Sequence, residues 1–219
     1  VGLVLRVLGS LGELWLDEIW SLHFVAQQAS AWNVLTRFNN ETNHHLMSLW
    51  MWCVGAEKPA WVYRAPSVVF GTLAVLIAAR IGRRRSFTSG IMSAAVVSIS
   101  YLMVHYASEA RGYAMAVCMA LLAYDALDLY LLHARRRDVL VYGVAVVVGV
   151  LGNLTFGIVA LSLGFWAVAG LYATQPARVA LGRLILLHLI PLGGIGPQRK
   201  ETRALGLQSA DSSTAARHA

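Results

Sequence analysis

Long apolar runs alternate with short polar corners along most of this chain. Residues 62–81, 87–104, 113–132, 139–154, 156–173 and 179–195 are each dominated by aliphatic, aromatic and small side chains. A helix needs about 20 such residues to cross the hydrocarbon core of a bilayer. In lipid each backbone polar group must find its partner within the segment, which a helix provides. The pattern therefore predicts an all-α, polytopic transmembrane helical bundle. Runs 139–154 and 156–173 sit at or below the usual length, so a shallow hairpin around Asn153 and Thr155 is the alternative there. Pro66 is expected in the first turn of its helix, where proline is tolerated.

The first quarter reads differently. Residues 1–8 are apolar apart from Arg6 and too short to span. Residues 14–61 are amphipathic and carry Trp15, Trp20, Trp32, Trp50, Trp52 and Trp61. Tryptophan favours the membrane–water interface. Residues 17–55 are thus expected to be a long outer loop whose helices lie on the membrane. At the other end, residues 196–219 are polar and without apolar period, and are expected to be a disordered tail. Residues 1–195 then form the membrane-embedded region. The start without Met and the abrupt change after Gly196 suggest a piece of a longer protein, or a shifted reading frame.

Composition sharpens the picture. The chain is 58% hydrophobic and 13% charged, against about 45–50% and about 25% in soluble domains. A net charge of +7 raises the question of nucleic acid. The arginines answer it: Arg83–Arg85 and Arg135–Arg137 each follow an apolar run, and Arg178 and Arg183 sit in the next corner on the same side. That is the positive-inside pattern, and it points to membrane lipids rather than nucleic acid as the surroundings. Asp125 and Asp128, near the inner end of their helix, are expected to be paired or to snorkel. Cys53 and Cys118 lack metal spacing and read as small hydrophobes. Gly71, Gly149, Gly152 and Gly157 are expected to allow close helix contact.

The basic corners fall on one side, so three polar corners fall on the other: Trp15-Leu16-Asp17-Glu18, Thr42-Asn43-His44-His45 and Ser108-Glu109-Ala110-Arg111-Gly112-Tyr113. Carboxylates on the rim of a bundle can bind a divalent cation or act as a general base. The plainer readings are solvated loop acids, a self-neutralising Glu109–Arg111 pair, a structural His45, and an Arg64 that snorkels from a helix end.

Leu5-Arg6, Leu14-Trp15-Leu16-Asp17-Glu18, Asn43-His44 with Leu46, Arg64-Ala65-Pro66-Ser67 with Phe70-Gly71-Thr72, and Ser108-Glu109-Ala110-Arg111 with Tyr113 occur in the order and spacing of a known family. The chain resembles the N-terminal half of a C-type, multi-span glycosyltransferase. It is similar to the family 39 protein-mannosyltransferase-like and rhizobial core-sugar-transferase-like enzymes. The resemblance covers roughly residues 3–192. It departs at His45, where many relatives carry proline, and at Ser108, where they often carry glutamine. The family also has further spans and often a soluble C-terminal domain.

The resemblance implies a polyprenyl-phosphate-linked sugar as donor and an extracytoplasmic glycan, lipid or protein as acceptor. It implies an outward-facing site in a bacterial inner membrane, serving cell-envelope glycosylation. Asp17 becomes the general base with Glu18 beside it. Glu109, alone or with Glu18, becomes the ligand of a divalent cation, Mg or Mn, directly or through the donor phosphate. His44, Arg64, Arg111 and Tyr113 become substrate contacts, and a single in-line displacement inverts the anomeric carbon. A lipid-linked-sugar flippase or transporter subunit, or an inactive truncated fragment of the enzyme, is the alternative. A transporter would place ionisable groups near the midplane of the bundle, whereas these acids collect at a rim.

Overall fold

The computed structural model describes residues 1–36 and 44–194, with side chains to residue 191. The described residues form eleven helices and no strand. They are α1 (Gly2–Gly9), α2 (Leu16–Ala26), α3 (Ala31–Thr36), α4 (His45–Val54), α5 (Ala60–Arg83), α6 (Phe87–Ile99), α7 (Tyr101–Tyr106), α8 (Tyr113–His133), α9 (Arg136–Gly152), α10 (Phe156–Thr174) and α11 (Ala177–Gly194). Helices α5, α8 and α10 are long and apolar enough to cross a membrane. The chain is an all-α membrane protein. The Thr42-Asn43 part of the second polar corner and the 196–219 tail lie outside the described residues.

Helix α8 is the centre of the bundle. It packs against α5, α9 and α10, and α11 closes on α9. Part of its core is small or slim: Ala123, Ala126 and Leu127 share the buried cluster with Ala145, Val146 and Ala167, beside the bulkier Met115, Met119 and Tyr130. Without a hydrophobic drive between helices in lipid, small residues let backbones come close enough for dispersion to hold them. Tyr142 and Phe156 fill the core as well, but many other large apolar side chains point outward. Phe87, Ile91 and Val96 on α6, and Ile158, Leu161 and Phe165 on α10, are all exposed, as expected of surfaces whose solvent is acyl chain. Of the glycines expected at helix contacts, Gly149 faces the Phe156 ring, Gly152 faces Met115 and Gly71 faces Ala107, while Gly157 has open space before it.

At one end of the bundle Arg84 reaches Asp125 (2.8 Å) and Asp128 (3.1 Å), and Arg80 reaches Asp125 at 3.1 Å. The Arg84–Asp125 Oδ1 contact is an ion pair without hydrogen-bond alignment. These pairs tie α5 to α8 beside the basic corner.

Two expectations change. Helix α5 begins at Ala60, after the N-cap residue Pro59, so Pro66 lies inside the helix and not in its first turn. A proline there has no N–H for the carbonyl four residues back, which is that of Val62. The indole N–H of Trp50 donates to that carbonyl instead, at 3.1 Å. Trp50 therefore has a specific backbone partner. The run 87–104, expected as one span, is two helices. Ser100 leaves the helical region (φ −56°, ψ 120°) and separates α6 from α7. The apolar pattern continues through the break, so periodicity alone does not reveal it.

Candidate functional site: the rim where α2 meets the α7–α8 corner

Glu18 is the third residue of α2, and its Oε2 accepts the Trp15 backbone N–H at 2.8 Å, fastening the start of the helix. Arg64, on the second turn of α5, meets the same carboxylate side-on. Its Nε donates to Oε1 at 3.0 Å and its Nη2 to Oε2 at 2.6 Å. Nη1 donates to the carbonyls of Ser10 (3.1 Å) and Gly12 (2.7 Å), and Nη2 to that of Glu13 (2.7 Å). A guanidinium has five N–H groups, and here each has an acceptor. Glu18 Oε1 accepts one more bond, from the Ala110 backbone N–H at 2.5 Å. Both side chains are buried, at 0% and 1% exposure.

Glu18 and Arg64 were expected to be a catalytic carboxylate and a donor contact. Their geometry gives them a different task. Four bonds occupy the carboxylate and five occupy the guanidinium, so neither has capacity left for a ligand. Together they fix the 10–13 turn, α2, α5 and the 107–112 corner relative to one another.

Around this fixed centre lie side chains that do have capacity. Asp17, next to Glu18 on α2, points outward with 63% of its side chain exposed, and its Oδ2 lies 3.1 Å from Arg111 Nη1. Ser67 on α5 donates to the Arg111 carbonyl at 3.1 Å, holding that residue's backbone. The Arg111 guanidinium sits 4.9 Å from the centroid of the Tyr113 ring, and Tyr113 stacks on Tyr106 at 4.7 Å. Such an exposed ion pair is worth only about 0–1 kcal/mol, so Arg111 can exchange Asp17 for an incoming anion at little cost.

Glu109 is nearly buried, and its Oε1 lies 3.1 Å from His105 Nε2 one turn earlier. Burial pushes its carboxyl above the ordinary value; His105 and Arg111 pull it back, and Glu18 adds to the rise. The His105 ring stacks on Tyr101 and meets the edge of Trp15 at 6.3 Å.

His44 closes the inner side. Its Nδ1 lies 3.2 Å from the Gly152 carbonyl. A carbonyl only accepts, so Nδ1 carries the proton and Nε2 is left as an acceptor. Burial first, then Arg111 and His45, push its pKa down to about 4, against the opposing Gly152 bond. The ring is neutral at pH 7 and stands edge-on to Tyr113 at 5.0 Å. The close approach needs Gly112: a Cβ there would run into the Gly152 carbonyl and come within 2.8 Å of His44 Nδ1. His45 beside it is buried, with Nδ1 lacking a partner among the described residues.

The rim thus brings Asp17, Glu109, Arg111, Tyr113 and His44 to one place. It adds His105, Tyr106 and Tyr101, which sequence reasoning did not select, and Trp15, which it reads as an interfacial anchor. For His105 the usable signal is its i,i+4 spacing from Glu109 on a helical turn. No family model matches the chain, and neither a curated protein nor a solved structure does.

Proposed function

We propose that this chain is the N-terminal portion of a membrane glycosyltransferase that moves a sugar from a polyprenyl-phosphate donor to an extracytoplasmic acceptor. One observation carries the reading. Two acidic corners far apart in sequence share a rim: Glu18 and Ala110, separated by 92 positions, are hydrogen-bonded, and the adjacent Asp17 and Arg111 form an ion pair.

On this reading Asp17 is the base. An acceptor hydroxyl attacks the anomeric carbon, its proton passes to the Asp17 carboxylate, and the carbon–oxygen bond to the polyprenyl phosphate breaks with inversion. A positioned base of this kind contributes about 10²–10⁴-fold. Arg111 exchanges Asp17 for the phosphate, whose negative charge grows as it leaves. The same exchange frees Asp17 to receive the proton. Tyr113, Tyr106 and neutral His44 line the polar wall, and the Nε2 of His44 accepts a sugar hydroxyl.

A divalent cation fits in one form only. The described residues hold no group of three or more ligating side chains, so a closed all-protein cage does not suit them. A cation held by one or two protein groups and the donor phosphate does, in the manner of Mg²⁺. Glu109, with His105 beside it, would supply the protein side. A cation held there would supply Lewis-acid neutralisation of the phosphate charge.

The donor chain stays in lipid while its phosphate reaches the rim. An open groove of about 550 Å³ between α2 and α4, lined by Leu22, Val25, Met51, Trp52 and Tyr63 among others, gives apolar surface beside the helix that bears Asp17. On this reading the basic corners lie on the cytoplasmic side of a bacterial inner membrane, in keeping with the positive-inside pattern, and the rim faces outward.

The test is sugar transfer or donor hydrolysis in membranes containing the full-length parent. Wild type is compared with Asp17→Asn, using a radiolabelled polyprenyl-phosphate sugar. Loss of both in the variant supports the base assignment, and equal rates overturn it. Movement of intact donor across the bilayer without bond cleavage would favour a flippase.

A further inference from the structure

Arg6 lies in an apolar helix, is 0% exposed, and has no carboxylate at ion-pair distance among the described residues. A buried charge without such a partner is strongly disfavoured unless something else balances it. Here the balance comes from the end of a broken helix. Arg6 Nη2 donates to the Val97 carbonyl at 3.0 Å, and Nη1 lies 3.4 Å from that of Ser98. Nη1 also donates to the Gly2 carbonyl at 2.8 Å. Val97 and Ser98 belong to the last turn of α6, whose carbonyls lose their helical partners because the chain turns away at Ser100. Freed carbonyls in apolar surroundings are costly unless another group satisfies them. The C-terminal pole of a helix also carries roughly half a negative charge.

The surroundings make room for this arrangement. A Cβ on Gly71 of α5 would come within 2.9 Å of Arg6 Nε. One on Gly2 would come within 2.8 Å of Ser98 Oγ and 3.2 Å of Arg6 Nη1. Arg6, whose Nε–H lacks a protein partner among the described residues, also lines a cavity of about 10 Å³ with Gly71, Met103 and Tyr106. That is about the room of one water.

We propose that Arg6 is a positioning residue: it pins the α6–α7 break and thereby sets where α7 delivers the rim. Helix α7 carries Tyr101, His105 and Tyr106, and it leads directly into the corner with Glu109. Helix α1 touches that corner as well, since a Cβ on Gly9 would collide with Ser108 Oγ. One short helix therefore grips the segment at its break and at its exit. This role is defined by the fold and holds whichever reaction the rim performs.

The experiment is amide hydrogen exchange on the chain in lipid nanodiscs, comparing wild type, Arg6→Met and Arg6→Lys. Arg6→Met is expected to speed exchange roughly tenfold or more across residues 97–108 and to leave residues 113–152 unchanged. Arg6→Lys, with one ammonium in place of a fork, is expected to show the same local pattern at smaller amplitude. It also carries the test should Arg6→Met not fold. Leu187→Ala, a buried truncation on α11, serves as the control. The NMR signals of the His105 ring are expected to move in the Arg6 variants and not in the control. An exchange change spread evenly over all helices, or none in 97–108, would overturn the proposal.

Discussion

Arg64 and Glu18, separated by 46 positions, are joined by two hydrogen bonds of 3.0 and 2.6 Å in a place closed to solvent. Their other bonds draw in the Ser10, Gly12 and Glu13 carbonyls and the Trp15 and Ala110 amides. Removing one partner of such a pair leaves the other charged and unpaired. Glu18→Ala is expected to cost about 3–5 kcal/mol. Arg64→Lys should cost nearly as much, because an ammonium cannot reach five acceptors spread over a planar fork. Thermal unfolding in detergent checks both, and a Lys variant as stable as wild type would contradict the account.

Asp17 is expected to behave in the opposite way. Its side chain is mostly exposed and its one ion pair is at the surface. Asp17→Asn should leave the unfolding temperature within a degree or two, since such pairs contribute about 0–1 kcal/mol. If the proposed function holds, the same change lowers sugar transfer by about 10²–10⁴-fold. A stability assay and a transfer assay on one preparation separate the two effects.

The neutral state of His44 gives a pH prediction. Its folded pKa, about 4, lies below the ordinary value of 6.5. The folded state thus resists a proton that the unfolded chain accepts. The contribution is fully present above pH 6.5 and is lost as pH falls from 6.5 through about 4. Its full size is on the order of 3 kcal/mol. Unfolding temperature measured from pH 7.5 to pH 4 should fall in wild type. The fall should be shallower in His44→Gln.

Trp50 and Pro66 supply a double-mutant test. Trp50→Phe removes the donor to the Val62 carbonyl and should cost about 1–3 kcal/mol. Pro66→Ala restores a backbone N–H to the same carbonyl. In the Pro66→Ala background the cost of Trp50→Phe should shrink by about 1 kcal/mol or more. Equal costs in both backgrounds would show that the indole bond contributes nothing.

Gly112→Ala should fail for a steric reason. Its Cβ has nowhere to go between the Gly152 carbonyl and His44. Overpacking of this kind costs about 1–3 kcal/mol. It should also release His44, moving its titration back toward 6.5, the ordinary value, as followed by NMR of the labelled ring.

Apolar runs were enough to place α5, α8 and α10, because lipid imposes one length and one composition on anything that crosses it. They misplaced the start of α5, although Pro59 just before Ala60 is a familiar helix-start signal. They also passed through Ser100, where neither proline nor glycine announces a break. Its visible trace is Arg6, a lone cation in an apolar stretch whose partner is 91 positions away. The rim divides in the same manner. Asp17, Glu109 and Arg111 stood out as charges at the ends of apolar runs. That adjacent Glu18 faces inward and Asp17 outward depends on how α2 is rotated against α5. Sequence types do not state that rotation. His105 carries no such mark in the sequence, because a single histidine just past an apolar run has many uses.

The five-acceptor arrangement of Arg64 also sets an order of assembly. Glu18 leaves the ribosome 46 residues ahead of its guanidinium and 92 ahead of the Ala110 amide. During that interval its carboxylate has only water and its own helix start for company. The segment that bears it must therefore wait in an aqueous setting until α5 arrives, and it can lock only when the α7–α8 corner is made. Completion of the rim waits longer still, because His44 is held by the Gly152 carbonyl at the end of α9. A chain halted before residue 110 would therefore carry Glu18 without the Ala110 amide that completes its four bonds.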